Sequence, residues 1–161
     1  WREVVKRQSG AHLKIVGEGA QLAYYQHLVE RWGLGYSVKF EGQVPWNRLQ
    51  RMYDEASIVV APHLWVEPFG RTVAEAMTRG KVVVAANAGG PSEIIQHEKT
   101  GFLFERGSRE ALIQQLTTVL ALPDLKRTIS GTAARDWTRQ YLAPTIIAEQ
   151  YEKFYRELVR V

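Results

Sequence analysis

At 161 residues the chain is long enough for one well-buried domain and too short for two ordinary ones. An apolar share of 45% with 24% charged residues is that of a globular protein, and no apolar run approaches the roughly 20 residues that a membrane-spanning helix needs. Zero cysteines exclude disulfides and thiolate metal sites and fit a cytoplasmic setting, while a net charge of +4 favours anionic ligands or an anionic membrane face. The Lys and Arg residues are scattered with no basic run of five, so nucleic acid is not the expected partner.

Trp1 to Gln8 reads as the last turns of a helix with Gly10 as its cap. His12 to Val16 is a strand, Gly17-Glu18-Gly19 a turn, and a helix from about Ala20 places Leu22, Tyr25, Leu28, Val29 and Trp32 on one face before Gly33 ends it. Ser37 to Phe40 is the next strand, and Gly42-Gln43-Val44-Pro45 leads to a short helix from Leu49 to Ala56. Ser57 to Ala61 reads as a buried strand, after which Pro62 and Pro68 forbid regular structure. A helix restarts at Gly70 or Arg71, with Val73, Ala76 and Met77 on one face and Thr72, Glu75 and Arg79 on the other. Gly80 caps it, and Lys81 to Ala86 is another buried strand. The loop Asn87 to Pro91 precedes a short helix at Ser92 to Ile95, then a turn at His97 to Thr100 and a strand at Gly101 to Phe104.

Three helices complete the chain. Leu112, Leu116, Val119 and Leu120 mark the first, and Leu125 to Tyr141 form a second, interrupted by Gly131. Ile147, Tyr151, Phe154, Tyr155 and Leu158 stripe the last, and at that spacing the aromatics read as core rather than as a stacking platform for bases.

Five strands alternating with helices, several apolar on both faces, predict an α/β domain with a parallel sheet covered on both sides and a helical tail. Ligands of such folds sit outside the carboxyl ends of the strands, where the loops at Gly17, Val44, Glu67 and Gly89 all emerge. The helix start at Gly70 offers free N–H groups and the positive end of a dipole, which suit a phosphate or carboxylate, and Gly70 lets a ligand approach the backbone. Glu67 and Glu75 bracket that anion site. Gly17-Glu18-Gly19 fits a plain tight turn as well as a ligand contact, since the remainder of a dinucleotide fingerprint is absent. His27 and Glu30 form a solvated pair without a third ligand, and His63 packs or hydrogen-bonds locally, so no metal site is expected.

The composite Glu67-Pro68-Phe69-Gly70-x-Thr72-x-x-Glu75-Ala76-Met77 resembles the E-x7-E signature of retaining glycosyltransferases of the GT-B fold, specifically family 4. Gly89-Gly90-Pro91-Ser92-Glu93 matches a further element of that family, Gly-Gly-x-x-Glu, although a glycine turn before a capped helix explains it too. The resemblance implies a Rossmann-like domain that binds a UDP- or GDP-sugar, without metal or cofactor, and passes a hexosyl group to an acceptor with retention. It implies that Glu67 meets hydroxyls of the transferred sugar near the reacting carbon and that Glu75 accepts hydrogen bonds from the ribose. Backbone amides of Phe69 and Gly70 would then face the sugar, those of Arg71 and Thr72 the phosphates, and the backbone at Val44 the base. Gly17 joins the donor-binding set, and the Arg71 guanidinium either adds to the phosphate site or faces solvent.

The same resemblance makes residues 1–142 a donor-binding domain lacking its first strand and 143–161 the helix that crosses back to an absent N-terminal acceptor domain, which would leave its aromatic stripe partly exposed here. Transfer by the isolated chain is therefore not expected. The acceptor (saccharide, lipid or small molecule) is not readable, and peripheral contact with the inner membrane face is compatible with the charge. Two rival readings are a sugar-nucleotide epimerase of similar architecture, which should lack the Glu67–Glu75 spacing in its Pro-Phe-Gly context, and a non-catalytic nucleotide-binding module.

Overall fold

The computed structural model describes residues 1–159. In chain order it contains α1 (Arg2–Arg7), β1 (Leu13–Val16), α2 (Leu22–Arg31), β2 (Val38–Gly42), α3 (Trp46–Glu55), β3 (Ile58–Ala61) and α4 (Arg71–Thr78). There follow β4 (Val82–Ala86), α5 (Gly90–Ile94), β5 (Phe102–Phe104), α6 (Arg109–Ala121), α7 (Asp124–Tyr141) and α8 (Pro144–Val159). None of these helices is long and apolar enough to cross a membrane.

All five expected strands form, and every pairing between them is parallel. They make two ladders, β1-β2 and β3-β4-β5, so β1 and β3 each have an edge without a strand partner among the described residues. Strand β4 is the centre of the larger sheet, with all five residues buried. Its period-two alternation sends Val83 and Ala85 to one face, against Tyr53, Val73, Ala76, Met77 and Ala134. Val82, Val84 and Ala86 go to the other, against Val4, Phe102, Phe104, Leu116 and Val119. Helices thus cover both faces, and burying each of these side chains is worth about 1.5–3 kcal/mol for the larger ones. Helix α1 ties the ladders together, with Val4 packing on the larger sheet and Val5 against Leu34 and Val38 of the smaller.

Several local expectations change. Helix α1 ends at Arg7, and its cap is Gln8, with φ −136°, rather than Gly10. Helix α3 starts directly after Pro45, three residues before the predicted Leu49, because the extended Pro45 sets the helix entry. Helix α7 runs unbroken through Gly131. That glycine sits where the helix crosses the end of α4, and a Cβ there would lie 2.0 Å from the Gly80 carbonyl oxygen, so the residue serves close packing instead of a break. The apolar face of α2 is where expected but is not fully covered: Tyr25 and Trp32 remain about half exposed. An open cavity of about 640 Å³ separates α2 from the small sheet, lined among others by Leu13, Ile15, Leu28, Val29 and Phe40. A two-stranded sheet is too narrow to cover a ten-residue helix. The stripe on α8 is also present, but Tyr151, Phe154, Tyr155 and Leu158 are exposed, which corrects the reading of the three aromatics as core and agrees with the partial exposure expected of a crossover helix. Residues 160 and 161 of that helix reading lie outside the described residues.

Candidate functional site

Because both ladders are parallel, the loops after β1, β2, β3 and β4 leave at carboxyl ends, and hydrogen bonds join them in pairs. Gly17, in the left-handed region at φ 117°, donates its N–H to the Gly42 carbonyl at 2.8 Å. The Glu18 carboxylate accepts from the Gln43 N–H at 3.4 Å, which fixes the segment leading to Val44. On the larger sheet, Glu67 extends the β3 ladder by a bridge to Gly89, and Gly90 donates its N–H to the Glu67 carbonyl at 2.7 Å. Helix α3 connects the two pairs, starting beside Val44 and ending against α4 through an Asp54–Arg79 ion pair of 2.7 Å.

The glycines of Gly89-Gly90-Pro91-Ser92-Glu93 have a steric purpose. A Cβ at Gly89 would lie 2.3 Å from the Glu67 carbonyl oxygen, and one at Gly90 would lie 2.2 Å from that of Phe69. Only glycine lets this loop press against the Glu67–Gly70 segment. Pro91 in turn lies against Gly70, which adopts φ 87° and ψ 56° as the N-cap of α4.

No side chain caps α4 among the described residues, and its hydrogen bonding starts with the Ala74 N–H donating to the Gly70 carbonyl at 3.0 Å. The amides of Arg71, Thr72 and Val73 precede that first bond and point along the helix axis toward the loops, carrying the positive end of the dipole. Phe69, beside them, is half exposed. Val73, Ala76 and Met77 are fully buried, as the helical face predicts, and this anchors the helix start in place.

Both carboxylates border this helix start, and neither lies in a core ion pair. The Glu75 side chain is 24% exposed and that of Glu67 22%. Glu75 Oε2 accepts from the Tyr53 hydroxyl at 3.0 Å, and Oε1 accepts from Arg71 Nη2 at 3.3 Å. Arg71 is otherwise solvent-facing. Burial pushes the Tyr53 hydroxyl up to about 12, aided by the Glu75 charge and its hydrogen bond, so the phenol stays a donor. Glu67 Oε2 accepts from the Trp65 indole N–H at 2.8 Å. His63 packs at a tilt against Trp65 with ring centroids 4.8 Å apart and brings Nε2 to 4.0 Å from the same oxygen, while its buried Nδ1 has no partner among the described residues.

Sequence reasoning missed two of these groups. Tyr53 lies four residues after Leu49 and reads as another apolar position of α3, so nothing in the spacing reveals its hydroxyl's partner. Trp65 precedes Glu67 by two residues, a separation that signals contact only in extended chain. Among the described residues no three His, Asp or Glu side chains gather as a metal site would require.

The chain matches, over residues 1–137, the family model described as Glycosyl transferases group 1. It is 30% identical over 145 residues to an uncharacterized glycosyltransferase of Methanocaldococcus jannaschii, covering 90% of this chain and 37% of that protein. It is 31% identical over 152 residues to a GDP-mannose-dependent phosphatidylinositol monomannoside mannosyltransferase of Mycobacterium tuberculosis, covering 89% of this chain and 39% of the relative. Its fold superposes on Anabaena HepE, solved in complex with UDP-glucose, with a TM-score of 0.80 and 25% identity over 97% of this chain and 44% of the other. The chain therefore spans less than half the length of each of these proteins.

Proposed function

We propose, on the premise that this chain belongs to the glycosyl transferases group 1, that it is the donor-binding domain of a retaining hexosyltransferase. The observation that carries the reading is the uncapped start of α4 flanked by Glu67 and Glu75 at the carboxyl-end edge of the sheets. A nucleotide-diphosphate sugar needs what such an edge offers: N–H dipoles for the diphosphate and carboxylates for the two sets of sugar hydroxyls.

In this reading Glu75 accepts from the ribose, Glu67 from the transferred hexose beside its anomeric carbon, the amides of Phe69 and Gly70 face the sugar, and those of Arg71 and Thr72 line the diphosphate. The Gly17 and Val44 loops, already bonded through Gly42, take the base. The bond from the anomeric carbon to the diphosphate oxygen breaks as the acceptor oxygen bonds to the same face of that carbon. The departing diphosphate takes the acceptor proton, and its added charge is met by the α4 amides. No metal enters this scheme. Either UDP or GDP suits it: the M. tuberculosis relative is named for GDP-mannose and the Anabaena structure holds UDP-glucose.

The open edges of β1 and β3, bridged by α1, support the view that residues 1–142 form a Rossmann-like unit whose first strand lies outside this sequence. The exposed stripe of α8 supports 143–161 as the crossover to an acceptor domain. Transfer would then require those segments, and this chain alone would bind donor without turnover. A sequence without cysteine suits a cytoplasmic setting, and the net charge of +4 suits peripheral contact at an anionic membrane face.

The test is a thermal-shift and calorimetry panel of UDP, GDP and their hexosyl derivatives on this chain and on Glu75→Ala. A melting shift with at least one nucleotide sugar, reduced in Glu75→Ala, supports the reading. Equal binding by the variant favours the non-catalytic module, and transfer by the isolated chain overturns the division of labour.

A further inference from the structure

We propose that Tyr53 is a positioning residue for nucleotide binding, whose buried hydroxyl holds Glu75 in the orientation that receives the ribose diol. The inference rests on the ribose role given to Glu75 above.

Tyr53 lies in the last turn of α3 with its ring among Val73, Ala76 and Met77, and it is 7% exposed. For packing alone a phenylalanine would serve there. The hydroxyl adds a polar group that burial makes costly unless it finds a partner. Its partner is a residue of the proposed site, since the phenol donates to Glu75 Oε2 at 3.0 Å from a different helix. Thr72, one of the residues whose amides head α4, lies beside the same hydroxyl.

The two oxygens of Glu75 are held unequally. Oε2 is tied to a buried donor that keeps its proton. Among the described residues Oε1 meets only Arg71, at 3.3 Å, from a guanidinium side chain that is 83% exposed. An exposed pair of that kind is worth little and is readily exchanged for another donor. One oxygen is thus committed inward while the other, paired with an exposed guanidinium, can pass from Arg71 to a ligand hydroxyl. A glutamate free to rotate about its three side-chain torsions would lose that freedom on binding, which costs affinity. Tyr53 meets that cost during folding.

Calorimetry of this chain with UDP and GDP, and with their 2′,3′-dideoxy forms, isolates the contribution of the ribose hydroxyls. Wild type should lose roughly tenfold in affinity when the hydroxyls are removed, and Tyr53→Phe should lose about threefold or less. In Glu75→Ala, adding Tyr53→Phe should weaken binding no further, because the tyrosine acts through the carboxylate. Leu49→Ala, in the same core cluster without a polar group, controls for stability and should keep the wild-type factor. A full tenfold factor in Tyr53→Phe, or an equal reduction in Leu49→Ala, overturns the positioning role alone. A wild type that binds nucleotide with no hydroxyl contribution overturns the ribose role of Glu75 as well.

Discussion

Trp65 and Glu67 are joined by a 2.8 Å hydrogen bond from the indole N–H to Oε2, two residues apart on the loop between β3 and α4. Oε1 of Glu67 has no partner among the described residues and can accept from a ligand. Trp65→Phe keeps an aromatic ring against His63 but removes the donor. Because Trp65 is 60% exposed, the expected loss is about 1 kcal/mol, or roughly fivefold. It should appear in the extra affinity that a nucleotide sugar has over its bare nucleotide, with affinity for UDP or GDP itself unchanged. Paired titrations of the two ligands measure it.

Gly90→Ala should destabilise the chain by about 2–4 kcal/mol, because the new Cβ lands 2.2 Å from the Phe69 carbonyl oxygen and backbone must move to admit it. Gly131→Ala should behave alike at the crossing with Gly80. Gly19→Ala meets nothing within 4 Å and should change stability by less than about 1 kcal/mol. Urea denaturation of the three variants checks the order.

Stability should fall above pH 10 through Tyr53. Below pH 10 the phenol keeps its proton in both folded and unfolded chains, so nothing is lost there. Between its ordinary value of 10 and its folded value of about 12 the unfolded chain releases the proton first, and unfolding is favoured as pH rises. A displacement of that size is worth about 2 kcal/mol once complete. Denaturation at pH 9 and pH 11 should show a smaller alkaline loss in Tyr53→Phe than in wild type. An ultraviolet phenolate titration of the native chain should contain a step near 12 that the variant lacks.

Phe154→Ser on α8 should change the melting free energy by less than about 0.5 kcal/mol, since the ring is 54% exposed and has little packing to lose. Val119→Ala, at a fully buried position facing Phe102 and Phe104, should cost about 1–3 kcal/mol. Parallel melts decide whether the tail contributes to the stability of this chain.

Elements whose signal is local could be read from the sequence. The run Val82 to Ala86, apolar without alternation, gives the central strand, and Val73, Ala76 and Met77 give the buried face of α4 because helical period and burial coincide there. Glu67 and Glu75 were legible as a pair because a proline, a glycine and a helix start lie between them. What was not legible depends on partners distant in sequence. Gly131 looks like a helix breaker until Gly80 is placed against it, and Tyr53 looks apolar until Glu75 arrives from another helix. The aromatics of α8 carry a core-like period, but period says only that they share a face, not that anything covers it. The gap between ladders escaped for the same reason: strand content is local, strand adjacency is not.

The seam between β1 and β3 has a mechanical consequence. Residues from β1 through β2 hang from the remainder by α1, by the start of α3 and by one lysine–glutamate contact, Lys14 to Glu55 at 2.9 Å. A two-stranded ribbon has little stability of its own. Amide protons of Leu13 to Val16 should therefore trade with deuterated solvent sooner than those of Val82 to Ala86, and together rather than one at a time. The half of the cleft assigned to the base would breathe while the half assigned to the phosphates stays still.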